Sequence, residues 1–175
     1  MLTQIVKKII NLINRQILYM DLGYKLDNAL VLGRIYVFNR NVSIGSNVHL
    51  YPNVTFMGDG IISIGNGAKI GNNTVIVASR EGGVTIGENT IVAANCYIVD
   101  SNHGTAKDLL ISRQEVSAAM VSIGNDVWIA NGVSVIKGAK IEDGAVIGAK
   151  SLVNSKIGMN KICWGIPARE IKERS

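Results

Sequence analysis

Few side chains in this sequence can take up a proton or attack a carbonyl near neutral pH. There are two histidines, His49 and His103, and two cysteines, Cys96 and Cys163. His103 stands in Val99-Asp100-Ser101-Asn102-His103-Gly104, at the mouth of a long stretch of mixed character. An imidazole there suits a general base, because its ordinary pKa lies close to physiological pH. Two histidines fall short of the three-imidazole cage of a catalytic zinc site, so no metal is expected. The cysteines are widely separated and make neither a disulfide framework nor a metal-binding pair; they read as core fillers.

The element that positions His103 is a repeat of six residues. Hexads begin at Leu32, Phe38, Ile44, Leu50, Phe56, Ile64, Ile70, Ile76, Ile86, Val92, Ile98, Ile123, Ile129, Val135, Ile141, Ile147, Val153 and Met159, and all eighteen leading positions are apolar. The fifth position is usually small or β-branched. Positions five and one are two apart, so on a short strand both point inward. The residues between them are rich in Gly and Asn (Asn47, Asn53, Asn66, Asn72, Asn89, Asn125), which tolerate the left-handed backbone of a sharp corner. Three strands and three corners close a triangle, so the hexads predict six stacked coils, roughly 30 Å tall at about 4.8 Å per rung.

The interruptions of the repeat are its most informative feature. Phe56 to Ile64 carries two extra residues, Ile76 to Ile86 four, and Ile98 to Ile123 nineteen. Each falls between the second and third hexads of its coil, so all three predict loops on one vertical corner. Gly60, Arg80 and Asn102 break the small-residue rule there. His103 is the sixth residue of its hexad and faces outward, with Glu81 in the same place one coil below. A carboxylate one rung, about 4.8 Å, from an imidazole could orient it.

At 175 residues the chain is long enough for one domain with a real core, and 47% apolar against 5% aromatic residues make that core aliphatic. The boundaries read as 1–31 for an N-terminal helix and lead-in, 32–164 for the repeat with a protruding loop 104–122, and 165–175 for a tail with a short charged helix. A net charge of +5 suits anionic small molecules or a membrane surface. Without interleaved basic and aromatic residues no nucleic acid is expected. Residues 2–20 predict an amphipathic helix: Leu2, Ile5, Val6, Ile9, Ile10, Leu12, Ile13 and Ile17 form an apolar face, and Gln4, Lys7, Lys8, Asn11 and Arg15 a polar stripe. Such a helix either packs on the open end of the repeat or makes a peripheral contact with an anionic membrane. It lacks the unbroken apolar centre of a signal peptide, so a cytoplasmic protein is expected.

Three segments carry a resemblance. Asn102-His103-Gly104 before an extended loop resembles the catalytic-histidine segment of sugar and polysaccharide acetyltransferases. Ile123-Gly124-Asn125-Asp126-Val127-Trp128-Ile129-Ala130-Asn131, and Ile147-Gly148-Ala149-Lys150-Ser151-Leu152-Val153 followed by Gly165-Ile166-Pro167-Ala168-Arg169, are similar to the remaining signatures of that hexapeptide-repeat acyltransferase family. The resemblance implies an all-β fold, a left-handed parallel β-helix of about six triangular coils with an N-terminal amphipathic helix and a short C-terminal helix. It implies a homotrimer with acetyl-CoA lying between subunits and a sugar or glycan acceptor. Carried over residue by residue, His103 is the base, and Asn73, Glu81 and Asn102 meet the acceptor. Trp128, Ala130 and Asn131 flank the pantetheine arm, Ala149 and Lys150 line its path, and Arg169 and Lys172 meet the nucleotide phosphates. The implied reaction is O-acetylation of a sugar, with N-acetylation of an amino sugar as the enzymatic alternative and a trimeric structural β-helix module as the non-enzymatic one.

Overall fold

The computed structural model describes the backbone of residues 2–175 and their side chains except those of residues 2, 3 and 7. Leu2 and Lys7, assigned above to the apolar face and the polar stripe of the first helix, therefore lie outside the described side chains. After the helix α1 (Leu2–Leu22) the chain winds as a parallel β-solenoid of about seven turns. Its strands stack into three faces. The first runs from Leu30–Val31 through His49–Leu50, Lys69–Ile70, Ile91–Val92, Trp128–Ile129 and Val146–Ile147 to Lys161–Gly165. The second runs from Tyr36–Val37 to Leu152–Val153, and the third from Val42–Ile44 to Lys156–Ile157.

The inward alternation holds throughout the middle of the chain. Pairs such as Val48 with Leu50, Ala68 with Ile70 and Val133 with Val135 are fully buried, giving a core of stacked aliphatic side chains one residue type deep per rung. At the two ends the register differs from the sequence reading. Val31, not Leu32, aligns with Leu50, and Val37, not Phe38, aligns with Phe56. Ile157, not Met159, aligns with Ile141. In each case an apolar residue lies one or two places away, so hydrophobicity alone leaves the register open; strand pairing selects the residue that faces in. The left-handed corner residue is also one place later than expected in three corners: Gly67, Asn73 and Asp126 adopt it rather than Asn66, Asn72 and Asn125. Asn66 and Asn125 instead accept neighbouring backbone N–H groups, from Ser46 and Glu88, through their side chains.

The tail is a strand, not a helix. Ala168–Glu173 turns back at Ile166–Pro167 and pairs antiparallel with Lys161–Gly165, satisfying an edge that would otherwise remain open. The alternating charges of Arg169-Glu170-Ile171-Lys172-Glu173 suit an exposed helix as well as an exposed strand; the free edge decides between them. At the opposite end α1 closes the first coil. The Val31 N–H donates to Asn11 Oδ1 (2.7 Å), Asn14 Nδ2 donates to the Val31 carbonyl (3.2 Å), and the Tyr24 hydroxyl bridges Val42 and Ile44.

Candidate functional site

All the variation in coil length gathers on the corner between the second and third faces. The first three loops of that corner are short, and the fourth extends into an arm whose base is a hairpin of Ser101–His103 against Val116–Ala118. The loops are clamped from inside. Two residues beyond the inward Val37 and Ile98, alternation turns Asn39 and Asp100 into the core, where they are 1% and 0% exposed. Asn39 Nδ2 donates to the carbonyls of Met57 and Gly60. Asp100 Oδ2 accepts the N–H groups of Ser79 (2.7 Å) and Gly83 (2.6 Å), fixing the loop that carries Arg80 and Glu81. Successive loops lie so close that a Cβ at Gly58 or Gly60 would meet the Ala78 or Ser79 carbonyl. The corner is thus a rigid stack.

The arm is braced as well. Lys137 Nζ donates to Ser117 Oγ (2.7 Å). Gln114 accepts the Ala106 N–H and donates to the carbonyls of Ala106 and Leu109, folding the arm over itself. His103 pairs with Val116 at the hairpin's outer end, with its side chain exposed. It borders a groove of about 470 Å³ shared with Val77, Tyr97, Asn102 and Ile136. Glu81 lines a neighbouring hollow of about 640 Å³ with Asp59, Ser79, Arg80 and Glu115, and Val116 borders both. Glu81 and His103 therefore share a corner, but no hydrogen bond joins them among the described residues.

The other expected site residues gather elsewhere. Trp128 lies outward on the first face, in register with Ile91 and Val146. Ala130, Asn131, Ala149 and Lys150 form the corner between the first and second faces, where Asn131 Nδ2 donates to the Ala94 carbonyl (2.8 Å) and the Lys150 N–H to the Asn131 carbonyl. Asn73 is on this same corner, in an amide ladder with Asn53 and Asn95. Arg169 and Lys172 sit on the terminal strand of the first face, paired in register with Trp164 and Ile162. Within one chain, then, the structure brings His103, Asn102 and Glu81 to one corner, Asn73, Ala130, Asn131, Ala149 and Lys150 to another, and Trp128, Arg169 and Lys172 to the first face.

Lys150 is held at φ 62°, a left-handed conformation that costs a side chain about 1–2 kcal/mol relative to Gly. Lys150→Gly should accordingly raise stability by roughly 0.5–1 kcal/mol in urea denaturation. The cysteines carry no site chemistry. Burial pushes the Cys163 thiol up to about 11, with nearby Glu170 adding to it, and burial likewise raises Cys96. Neither should react with a thiol reagent at pH 8 in the folded protein, and both should react on unfolding, as a timed mass-spectrometric assay would show.

Sequence reasoning missed Asp100, Asn39 and Gln114. For the first two a signal existed: an amide or acid at an inward position of the alternation, next to a coil-length change, marks a side chain that binds loop backbone. Gln114 lies in the arm, where no period applies.

Comparison with known proteins follows the same lines. Residues 120–155 match the bacterial transferase hexapeptide (six repeats) family, and residues 61–99 the hexapeptide repeat of succinyl-transferase. The chain is 32% identical over 144 residues to the putative lipopolysaccharide biosynthesis O-acetyl transferase WbbJ of Escherichia coli (strain K12), covering 78% of this chain and 70% of that protein. It is 34% identical to the galactoside O-acetyltransferase of the same organism, covering 75% of this chain and 63% of that protein. Among solved structures, a variant of AntD, an N-acyltransferase from Bacillus cereus in complex with dTDP-4-amino-4,6-dideoxyglucose and coenzyme A, superposes with a TM-score of 0.79. The identity is 20%, covering 91% of this chain and 88% of that one. At that identity the likeness speaks for the fold.

Proposed function

This chain belongs to the hexapeptide-repeat acyltransferases, of the sugar and polysaccharide O-acetyltransferase type, and from that premise we propose that it moves the acetyl group of acetyl-CoA directly onto a sugar hydroxyl. It is an acetyltransferase acting on sugars; the proposal adds the hydroxyl as acceptor atom, His103 as base, and surface-polysaccharide assembly in the cytoplasm as the setting. The observation that carries it is the exposed His103 ring on a braced hairpin, at the mouth of a groove on the one corner where the coils depart from the repeat.

An alcohol is a poor nucleophile at neutral pH. His103 accepts the hydroxyl proton as the oxygen bonds to the thioester carbonyl carbon; the carbon–sulfur bond then breaks, and the departing thiolate takes the proton back from the imidazolium. Asn102 and Glu81 meet the acceptor from the two hollows, joined by Asn73 of the neighbouring subunit's opposite corner. On the donor side the half-exposed Trp128 and the small Ala130, Asn131 and Ala149 suit the pantetheine arm. Lys150, Arg169 and Lys172 carry no ion pair among the described residues and suit the phosphates.

His103 and the donor residues occupy different corners of one chain, which favours a homotrimer in which one subunit's groove meets the next subunit's donor corner. The outward rows favour it too. The third face presents Ser43, Ser63, Thr85, Ser122, Lys140 and Lys156 in register, whereas the first two expose Ile91, Trp128 and Tyr97, and the arm exposes Leu109, Leu110 and Ile111. A screen of sugars and amino sugars with radiolabelled acetyl-CoA, followed by hydroxylamine, tests the reading. Label released by hydroxylamine is an ester, as expected; label that persists is an amide and makes the enzyme an N-acetyltransferase. No transfer to any sugar hydroxyl or amine would contradict the proposed reaction.

A further inference from the structure

The helix α1 sits on the solenoid the wrong way round for an ordinary surface helix. A helix that closes the end of a globular core turns its apolar arc inward and its polar arc to water. Here the arc that touches the solenoid is largely polar. Asn11 and Asn14 bond the free edge of Leu30–Val31, Arg15 Nη2 donates to the Leu26 carbonyl (2.8 Å), and Leu18 enters the core with Leu22 packed against it. This follows from what the end of a solenoid demands: open backbone N–H and C=O groups, which amides satisfy and isoleucines do not. At 100° per residue the opposite arc holds Ile5, Val6, Ile9, Ile10, Leu12 and Ile13, each between 45% and 65% exposed. Six large aliphatic side chains thus form a strip on the outer side of the cap, exposed among the described residues.

We propose that this strip docks the protein onto an anionic lipid bilayer, with α1 lying in the headgroup region parallel to the membrane plane. Charge selects this occupant. Residues 2–20 contain Lys7, Lys8 and Arg15, and the first acid is Asp21. Anionic headgroups complement such a set. A second copy does not, because no acid lies in residues 2–20 to pair with the exposed Lys8, whereas Arg15 is already turned to the solenoid. Length and composition fit a surface helix rather than a spanning one: 21 residues give about 31 Å, and no described helix is long and apolar enough to cross a membrane. The inference rests on the placement of α1 alone and holds whatever the acceptor is. It sets the coil of His103 three rungs, about 14 Å, beyond the first coil, with α1 between that coil and the bilayer.

Sedimentation of the full chain with vesicles tests it, comparing phosphatidylcholine alone with equal parts phosphatidylcholine and phosphatidylglycerol. The wild type should pellet with the anionic vesicles and much less with the neutral ones. The double variant Ile9→Glu, Ile13→Glu touches the outer arc only; it should lose at least tenfold in partitioning with an unchanged melting temperature. Lys8→Gln should weaken anionic binding by about fivefold, and added salt should do the same. Wild-type protein that stays in the supernatant with both vesicle types would overturn the proposal, as would a double variant that pellets as well as the wild type. Concentration-dependent self-association lost in the double variant, without vesicle binding, would assign the strip to a second copy and overturn it as well.

Discussion

His103→Ala lowers the turnover of acetyl transfer by about 10²–10⁴. The alanine variant should still bind acetyl-CoA as the wild type does, because the donor residues lie on another corner of the prism. Its stability should stay within about 0.5 kcal/mol of wild type, as for surface substitutions away from special features. His103 is exposed and holds the hairpin through its backbone pairing with Val116, so removing the ring removes chemistry and little else. Steady-state kinetics with calorimetric titration of acetyl-CoA and a urea melt read all three quantities. Equal turnover in the two proteins would end the assignment of the base.

Asp100→Ala produces the complementary result, a large loss of stability centred on the same corner. The carboxylate is fully buried and one of its oxygens holds two backbone N–H groups at 2.6 and 2.7 Å. Hydrogen bonds to a charged group are worth about 1.5–3 kcal/mol each, and unpaired buried donors cost a comparable amount, so the alanine variant should lose about 3 kcal/mol. Asp100→Asn keeps an accepting oxygen and should lose less. Hydrogen exchange locates the effect: the Ser79 and Gly83 amides should lose protection while the strands two coils away keep theirs. The other oxygen, Oδ1, is the one buried side-chain polar atom among the described residues without a partner, so the carboxylate is held by one oxygen alone. Asp100 thus holds the backbone of the loop that carries Glu81.

How much of this is visible in the residues depends on whether alternation and period have a unique solution. Between Ile44 and Val153 they do, because the six-residue spacing outside the insertions picks one inward aliphatic per strand even where its neighbours are apolar, as in Val75-Ile76-Val77, and the corner with the insertions follows by counting. At Val31-Leu32 and Val37-Phe38 two neighbouring apolar residues compete, and only the hydrogen-bonded partner strand chooses between them. The tail Ala168–Glu173 has no strong local preference and takes the form the open edge imposes. For α1, the hydrophobic pattern shows that a face exists but not which way it turns; the need of the first coil for amide partners turns Asn11 and Asn14 inward and the isoleucines out. The separation of His103 from Lys150 follows by the same counting, since His103 comes after the second hexad of its coil and Lys150 after the first; the place of Arg169 does not, because the open edge imposes its strand.

That separation is where the account is most exposed, and subunit complementation tests it directly. One chain carries His103→Ala, the other Lys150→Gln with Arg169→Gln, and each is inactive when expressed alone. If the groove of one subunit meets the donor corner of the next, random co-assembly of the two regenerates intact sites at about one quarter of the wild-type number, as rotational symmetry requires. Co-expressed and purified through a tag on each chain, which leaves only mixed trimers with one intact site in three, the protein should recover acetyl transfer at about one third of the wild-type level. Activity no greater than that of the two parents would contradict a site shared between subunits.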